Sequence, residues 1–382
     1  MWPKKNTAFV VIHGAGPHRS FETLDAFVRG FWNVLREQNP GLAIRWQHKL
    51  QRHKDWIENY ISLAPEGMPT LDFYEYYWDC YMDHEIDVGD VIRWLKKASD
   101  GAQRFYRDMP ELAKKYEDMG VDLFKDGEFK SGGYLILFGW LGQVLRLLQL
   151  VRIATLPVLD QVIRFLVGLV SKLVVGFLGD LVIYTEADVR SRNYVIRQKV
   201  LGGAVEELRL LLENDYYEQI VVVGHSLGSL IAYDALNRIN HLMNAFDPKA
   251  EIGTGPDLAP KIIGLVTFGS PLDKSAFFFR EHTRDEEYVR RQILAHFHGF
   301  KSLALTGYQE PISIDNPIKP YLDNTRWLNF YHLQDPVSGS LDAYKVDRNI
   351  LCQKEAQRPD KAHSAYWDDY QMYKHIADEL FQ

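Results

Sequence analysis

The chain has 382 residues, 46% of them apolar and 25% charged, which is the composition of a globular protein. Its length suits one large domain with an inserted subdomain. The formal net charge is −7, and no segment gathers Lys and Arg into a basic face, so nucleic acid is excluded as an expected partner. Cys80 and Cys352 lie far apart without metal-ligand spacing, so we expect reduced, buried thiols rather than disulfides or a zinc site.

The N-terminal part predicts a strand, a turn and a helix. Thr7 to Ile12 is apolar on both faces, as in a central parallel strand, and it is too short for a signal-peptide core. We therefore expect a cytoplasmic protein. Phe21 to Glu37 places apolar residues at helical spacing, and Leu42 to Trp46 and Leu71 to Trp78 are two further strand candidates.

Residues 91–184 predict a helical insertion. The first part is mixed in charge, whereas 34 of the 51 residues from Tyr134 to Tyr184 are apolar. Several charged residues interrupt this apolar segment and disfavour a continuous membrane span. These residues are Arg146, Arg152, Asp160, Arg164, Lys172 and Asp180. We weigh two interpretations, a helical hairpin buried against the core or a second subunit, and a lid or membrane-docking cap over an active site.

Strands and helices alternate again after Arg190, and this alternation predicts a parallel α/β sheet. The predicted elements are a helix to about Asn214, a strand at Ile220–Val223, a helix at Leu227–Ile239, strands at Ile262–Phe268 and Trp327–Leu333, and a helix from about Ala365 to Leu380. We therefore assign residues 1–90 and 185–382 to one α/β core.

A nucleophile elbow is predicted where the apolar strand before Gly224 runs into a helix. The sequence there is Gly224-His225-Ser226-Leu227-Gly228, the G-x-S-x-G pattern in its strand-turn-helix context. The turn is so tight that both glycine positions must lack a side chain, and its strain presents the serine hydroxyl above the strand ends. Ser226 is the predicted nucleophile, and a purely structural serine is the alternative.

The oxyanion of an acyl-transfer intermediate needs fixed hydrogen-bond donors. The Leu227 amide, at the start of the helix, is the first predicted donor. The second is the Ala15 amide, or else that of Gly14, because the small residues after His13 let the backbone approach a substrate. We interpret the His13 ring as orienting this loop, with a direct catalytic role as the alternative.

We look for the acid and the base of a catalytic triad after the serine in the chain, because proteins with a nucleophile elbow of this kind order the triad as Ser, acid, His. Asp335 follows the strand that begins at Trp327, and we prefer it to Asp342 and Asp273. His363 stands at a loop-to-helix boundary, and we prefer it to His375 within the last helix. Neutral imidazole would take the serine proton while the carboxylate fixes its tautomer.

Four motifs, in chain order, resemble those of the α/β-hydrolase superfamily, specifically its lipase and esterase branch. They are Ile12-His13-Gly14-Ala15-Gly16, Gly224-His225-Ser226-Leu227-Gly228-Ser229, Gln334-Asp335-Pro336-Val337 and His363-Ser364-Ala365-Tyr366-Trp367. The elbow and Thr267-Phe268-Gly269-Ser270-Pro271-Leu272 are also similar to intracellular phospholipases and related bacterial lipase-like proteins. The chain shows no counterpart of the Asp-Asp-His-Asp domain of the eukaryotic phospholipases.

The resemblance covers about residues 6–90 and 185–382 and implies an α/β-hydrolase fold. It implies Ser226, Asp335 and His363 as the triad and Ala15 and Leu227 as oxyanion donors. These families hydrolyse acyl esters without a metal or an organic cofactor, so we expect neither.

Together these features predict a serine hydrolase that cleaves carboxylic esters, with lipid esters favoured, through an acyl-enzyme. Acyl transfer or thioester hydrolysis on the same triad is one alternative, and a non-catalytic membrane-associated scaffold is another. The apolar segment predicts a peripheral membrane contact or a homodimer.

Overall fold

The structure, a computed structural model, describes residues 2–16, 18–52, 57–82, 103, 106–107, 110–118, 124–129, 179–186, 189–248, 254–273, 287–290, 293, 300–301, 318–335, 337–342, 344–353 and 359–381. These residues build an α/β fold around an eight-stranded, mostly parallel sheet with helices on both faces. The predicted α/β class with a parallel sheet is confirmed.

The strands are β1 Thr7–Ile12, β2 Ile44–Arg52, β3 Ile57–Pro65, β4 Leu71–Tyr76, β5 Phe124–Lys125, β6 Glu128–Phe129, β7 Gln219–His225, β8 Ile262–Phe268, β9 Arg326–Tyr331 and β10 Arg348–Leu351. The large sheet has the order β10-β9-β8-β7-β1-β4-β3-β2, and the strands from β10 to β4 run parallel. Strands β2 and β3 form an antiparallel hairpin at one edge. Strands β5 and β6 pair separately.

The helices are α1 Glu22–Gln38, α2 Pro110–Asp118, α3 Gly179–Tyr184, α4 Arg192–Glu213, α5 Leu227–Asn244, α6 Pro359–Ser364 and α7 Tyr370–Phe381. Short 3-10 turns lie at Asp79–Tyr81, Pro256–Lys261 and Ala365–Asp368. Helices α1 and α7 cover one face of the sheet, whereas α3, α4 and α5 cover the other.

The alternation of side chains along the central strands creates two cores. In β1, Val10 belongs to the core under α4 and α5, while its neighbours Phe9 and Val11 belong to the core under α1 and α7. Because both faces are covered, both sets of side chains must be apolar. This explains why the predicted central strands are continuous apolar runs.

Strand β3 was missed by the sequence analysis, which predicted only a short strand ending at Trp46 before the one at Leu71. One face of β3 carries the buried polar side chains Glu58 and Ser62, whereas Leu63 on the other face belongs to the core under α1 and α7. The polar residues interrupt the apolar pattern by which a buried strand is recognised. Strand β10 was also missed, because it has only four residues and they are mostly exposed.

Part of the predicted insertion lies within the described residues, which there form α2 and the β5–β6 hairpin. The hairpin departs from the expected helical pattern because Asp126 and Gly127 both adopt positive φ, of 57° and 74°, as a two-residue hairpin turn favours. The apolar segment lies outside the described residues except at Gly179–Tyr184. Among the described helices, none is long and apolar enough to cross a bilayer.

The expectation of two buried thiols is wrong for one cysteine. Cys352 is buried, as expected, but Cys80 is exposed in the 3-10 turn after β4.

Candidate active site

The candidate site lies where the sheet connections diverge. Strands β1 and β7 are neighbours in the sheet, but the chain leaves them in opposite directions. From β1 it continues through α1 and the edge hairpin to β4, and from β7 it continues through α5 to β8. Ligand sites of open α/β sheets form at the carboxyl ends of strands at such a switch point. Ile12 and Gly224 are register partners there, so the loop at residues 13–16 lies beside the elbow. It is called the oxyanion loop here because it contains the predicted oxyanion donors.

The elbow has the strained geometry that its sequence predicts. Ser226 adopts φ 51° and ψ −124° immediately before α5, in a region that few residues with a side chain occupy. A Cβ on Gly224 would lie 2.5 Å from Ser229 Cα, and a Cβ on Gly228 would overlap the carbonyl oxygen of Ile12. Both positions therefore require glycine, as predicted.

The structure brings together all three predicted triad residues. His363 Nε2 lies 3.0 Å from Ser226 Oγ, and His363 Nδ1 lies 3.1 and 3.0 Å from the two carboxylate oxygens of Asp335. Because a carboxylate only accepts, Nδ1 carries the ring proton of the neutral imidazole and Nε2 is left to accept the serine proton. Asp335 is buried, whereas the His363 side chain is 19% exposed.

The buried carboxylate of Asp335 has further donors that the sequence analysis did not identify. Val337 N–H donates to Oδ1 at 2.9 Å, and the Tyr366 hydroxyl donates to Oδ2 at 2.9 Å. Ser338 Oγ lies 2.9 Å from the Tyr366 oxygen and donates to it, because the Tyr366 proton is directed at Asp335. Burial and the adjacent carboxylate raise the pKa of Tyr366 well above its usual value, which keeps this donor protonated.

Asp342 and His375, which the sequence analysis considered as alternatives for the acid and the base, make contacts elsewhere. Asp342 forms an ion pair with Lys115 of α2 at 2.8 Å and accepts a hydrogen bond from Ser340 at 2.6 Å. His375 lies within α7, which packs on the side of α1. The geometry therefore favours Asp335 and His363 over these two residues.

The His13 ring is held at both nitrogens. Trp78 N–H donates to Nε2 at 3.2 Å, so Nδ1 carries the proton and donates to the Gly14 carbonyl oxygen at 2.9 Å. The ring also stacks on Trp78 with centroids 4.6 Å apart, and Trp78 Nε1 donates to the His13 carbonyl oxygen at 2.9 Å. Burial, with a smaller effect of His18, lowers the pKa of His13 to about 3. A neutral ring with both nitrogens occupied favours orientation of the loop over proton transfer.

The oxyanion loop passes directly beside Ser226. A Cβ on Gly14 would lie 2.9 Å from Ser226 Cβ, so only glycine allows this approach. Gly16 N–H is already bound, because it donates to Oδ2 of Asp180 at 2.7 Å. After His13, the amides of Gly14 and Ala15 are thus the candidate oxyanion donors in this loop. The other predicted donor is the amide of Leu227, the first residue of α5.

His225 links the elbow to His363. Its Nε2 donates to the His363 carbonyl oxygen at 3.1 Å, and its ring packs against the rings of Phe268 and Trp367. Burial and the nearby His363 lower the pKa of His225 well below its usual value, so the ring is neutral. Gly269, with φ 60°, lies close to both rings, since a Cβ at this position would be 3.3 Å from His225 Nε2 and 3.3 Å from His363 Cε1.

Sequence reasoning missed Tyr366 and Ser338, which support Asp335, and Asp180, which accepts a hydrogen bond from Gly16. Tyr366 and Ser338 each stand three residues after a triad member, and that proximity was the available signal. Asp180 was interpreted only as a charge interrupting the apolar segment. Its contact with Gly16 spans 164 residues of sequence, and no local pattern marks it.

In the described part of the chain, no group of three or more His, Cys, Asp or Glu side chains is arranged to hold a metal ion. In comparisons with known proteins, no family model, no curated protein and no solved structure matches this chain. Its function must therefore be inferred from the geometry of the site.

Proposed function

We propose that this protein is a serine hydrolase that cleaves carboxylic esters through an acyl-enzyme, on an α/β-hydrolase fold. The observation that carries the proposal is the continuous path from Ser226 Oγ through His363 to Asp335, with each step between 3.0 and 3.1 Å. The serine follows the central strand β7, the acid follows β9 and the base follows β10, an order compatible with that fold.

Acylation begins when Ser226 Oγ attacks the acyl carbon and its proton passes to Nε2 of His363. The carbonyl oxygen becomes an oxyanion, which the Leu227 amide and the Ala15 amide would stabilise. Collapse of the intermediate breaks the bond to the alkoxy group, which leaves as an alcohol with the proton from His363. Asp335 stabilises the imidazolium in between, and an acyl ester remains on Ser226.

Deacylation repeats these steps with water as the nucleophile. His363 removes a proton from water as it attacks the acyl-enzyme, and then returns the proton to Ser226 Oγ as the carboxylic acid leaves. A different acceptor in place of water would give acyl transfer, and a thiol leaving group would give thioester hydrolysis. The same residues serve in each case, so hydrolysis of esters is the simplest proposal.

A lipid ester is the substrate class that we propose, in keeping with the resemblance and with the apolar segment of the sequence. A peripheral membrane contact or a homodimer through that segment belongs to the same proposal. A sequence segment of this apolar composition is unfavourable in contact with water, and either contact would remove it from water. The non-catalytic scaffold is disfavoured, because a scaffold has no need of the strained serine or of the hydrogen bonds that hold His363.

The test is hydrolysis of nitrophenyl esters from acetate to palmitate by the purified protein and by Ser226→Ala, with fluorophosphonate labelling as a second readout. We expect labelling and turnover in the wild type, an optimum at long acyl chains, and neither activity in the variant. Ser191→Ala is the matched control, because it removes the N-cap side chain of α4 and leaves the triad intact. Absence of labelling that depends on Ser226 in the folded protein would contradict the proposal.

A further inference from the structure

We propose that Asp180 is a positioning residue that fixes the oxyanion loop relative to the nucleophile helix α5. The inference rests on the proposed function, because it assigns a role in the same reaction. Asp180 lies in the first turn of the six-residue helix α3 and is only 1% exposed. A buried carboxylate is costly unless it is hydrogen-bonded, so its presence here calls for a physical reason.

Hydrogen bonds hold the oxyanion loop at His13, Gly14 and Gly16. Asp180 Oδ2 accepts from Gly16 N–H at 2.7 Å, the distance of a charge-assisted hydrogen bond. The His13 ring donates to the Gly14 carbonyl oxygen at 2.9 Å, and Trp78 holds His13 by donating to its ring and to its carbonyl oxygen. In a trans peptide the C=O and N–H groups point in opposite directions, so holding the Gly14 carbonyl also sets the direction of the Ala15 N–H.

Helix α3 connects this loop to α5. The Tyr184 hydroxyl donates to Asp234 Oδ2 of α5 at 2.9 Å. Arg197 of α4 lies 3.4 Å from the same carboxylate oxygen and 5.6 Å from the centre of the Tyr184 ring. All four residues of α3 that follow Asp180 are buried. Helix α3 therefore binds the oxyanion loop through Asp180, and it binds α5 through Tyr184.

The consequence concerns the distance between the two proposed oxyanion donors. Leu227 is the first residue of α5, and Ala15 lies in the loop that Asp180 holds. Donors that are fixed before the reaction stabilise the transition state without the cost of reorganisation. Release of Gly16 would let the loop move, and a displacement of about 1 Å at such a site costs up to roughly 100-fold in rate. Binding of the substrate should change little.

The experiment compares Asp180→Ala and Asp180→Asn with the wild type on an ester and on its thionoester analogue, whose sulfur accepts hydrogen bonds weakly. For Asp180→Ala we expect kcat on the ester to fall about 10- to 100-fold with KM little changed. Turnover of the thionoester should fall much less, so that the ratio of the ester rate to the thionoester rate falls. Asp180→Asn keeps an acceptor oxygen for Gly16 and should recover most of the ratio.

Asp72→Ala is the matched control, because Asp72 is equally buried but lies at the opposite end of β4, where Tyr217 donates to it at 2.8 Å. It should lower the melting temperature and leave the ratio unchanged. Should Asp180→Ala fail to fold, Tyr184→Phe cuts the link to α5 and should lower the ratio to a smaller extent. An unchanged ratio in the folded Asp180 or Tyr184 variants overturns the inference, whereas a wild type without turnover that depends on Ser226 overturns the proposed function itself.

Discussion

The hydroxyl of Tyr366 and Nδ1 of His363 share one acceptor, the Oδ2 atom of Asp335, at 2.9 and 3.0 Å. Because Ser338 donates to Tyr366 in turn, the carboxylate is the end of a chain of donors as well as the partner of the base. Hydrogen bonds to a charged acceptor are about twice as strong as neutral ones. The acid is thus held in position by residues that do not contact the serine.

We first predict the effect of Tyr366→Phe. The variant removes one donor to a buried carboxylate, a hydrogen bond with a net contribution of about 1.5–3 kcal/mol to stability. We expect lower stability and a loss of kcat of about tenfold, because Asp335 is then less firmly oriented. Steady-state kinetics and thermal unfolding measure both effects.

The matched control for Tyr366→Phe is Tyr373→Phe. Tyr373 is buried in α7, and its hydroxyl donates to the Trp367 carbonyl oxygen at 3.2 Å rather than to the triad. This variant should lose stability but keep kcat. Equal kinetic effects of the two substitutions would count against a role of Tyr366 in orienting the acid.

A second prediction separates Asp335 from Asp342, one of the two other acids that the sequence left open. Asp335→Asn keeps the size of the side chain but supplies a poorer acceptor for His363 Nδ1–H, so the imidazole loses its productive tautomer. We expect kcat to fall by about 10⁴-fold while the fold is retained. Asp342→Asn, which removes the ion pair with Lys115, should change kcat less than twofold. The reverse pattern would reassign the acid.

The elbow and the triad order were predictable because each motif is local or follows from the chain order of one fold. The glycines around Ser226 are required by contacts within a few residues and with the neighbouring strand. The contacts of Asp180 and the buried polar face of β3 were not predictable. They depend on which distant elements pack together, and a buried Glu58 contradicts the apolar pattern by which strands are recognised.

A third prediction uses two neighbouring glycines of α4. A Cβ on Gly203 would overlap the hydroxyl of Tyr76, which donates to the Val200 carbonyl oxygen at 2.6 Å, whereas a Cβ on Gly202 would meet no atom of the described residues within 4 Å. Gly202→Ala should therefore stabilise the protein by about 0.5–1 kcal/mol, since alanine restricts the unfolded chain. Gly203→Ala should destabilise it by about 1–3 kcal/mol through overpacking. Chemical denaturation of both variants checks this, and equal shifts of the midpoint would contradict it.

A final prediction concerns the two buried carboxyl groups of Glu58 in β3 and Glu207 in α4. Burial, followed by the hydrogen bond and the negative charge of Glu58, raises the pKa of Glu207 well above its usual 4.5. The folded protein thus favours the neutral form of Glu207. Its contribution to stability is complete below pH 4.5 and is lost as the pH rises through the higher pKa of the folded state.

Glutamine is neutral at every pH and can still donate a hydrogen bond to Glu58. Glu207→Gln should therefore match the wild type in melting temperature near pH 4 and exceed it at pH 8, with a difference that grows between these limits. Thermal unfolding across this range measures the difference, and pH effects of other groups cancel because both proteins contain them. Glu213→Gln is the control on the same helix, since its partly exposed ion pair with Arg209 contributes little. Parallel curves for wild type and Glu207→Gln would contradict a raised pKa of Glu207 in the folded protein.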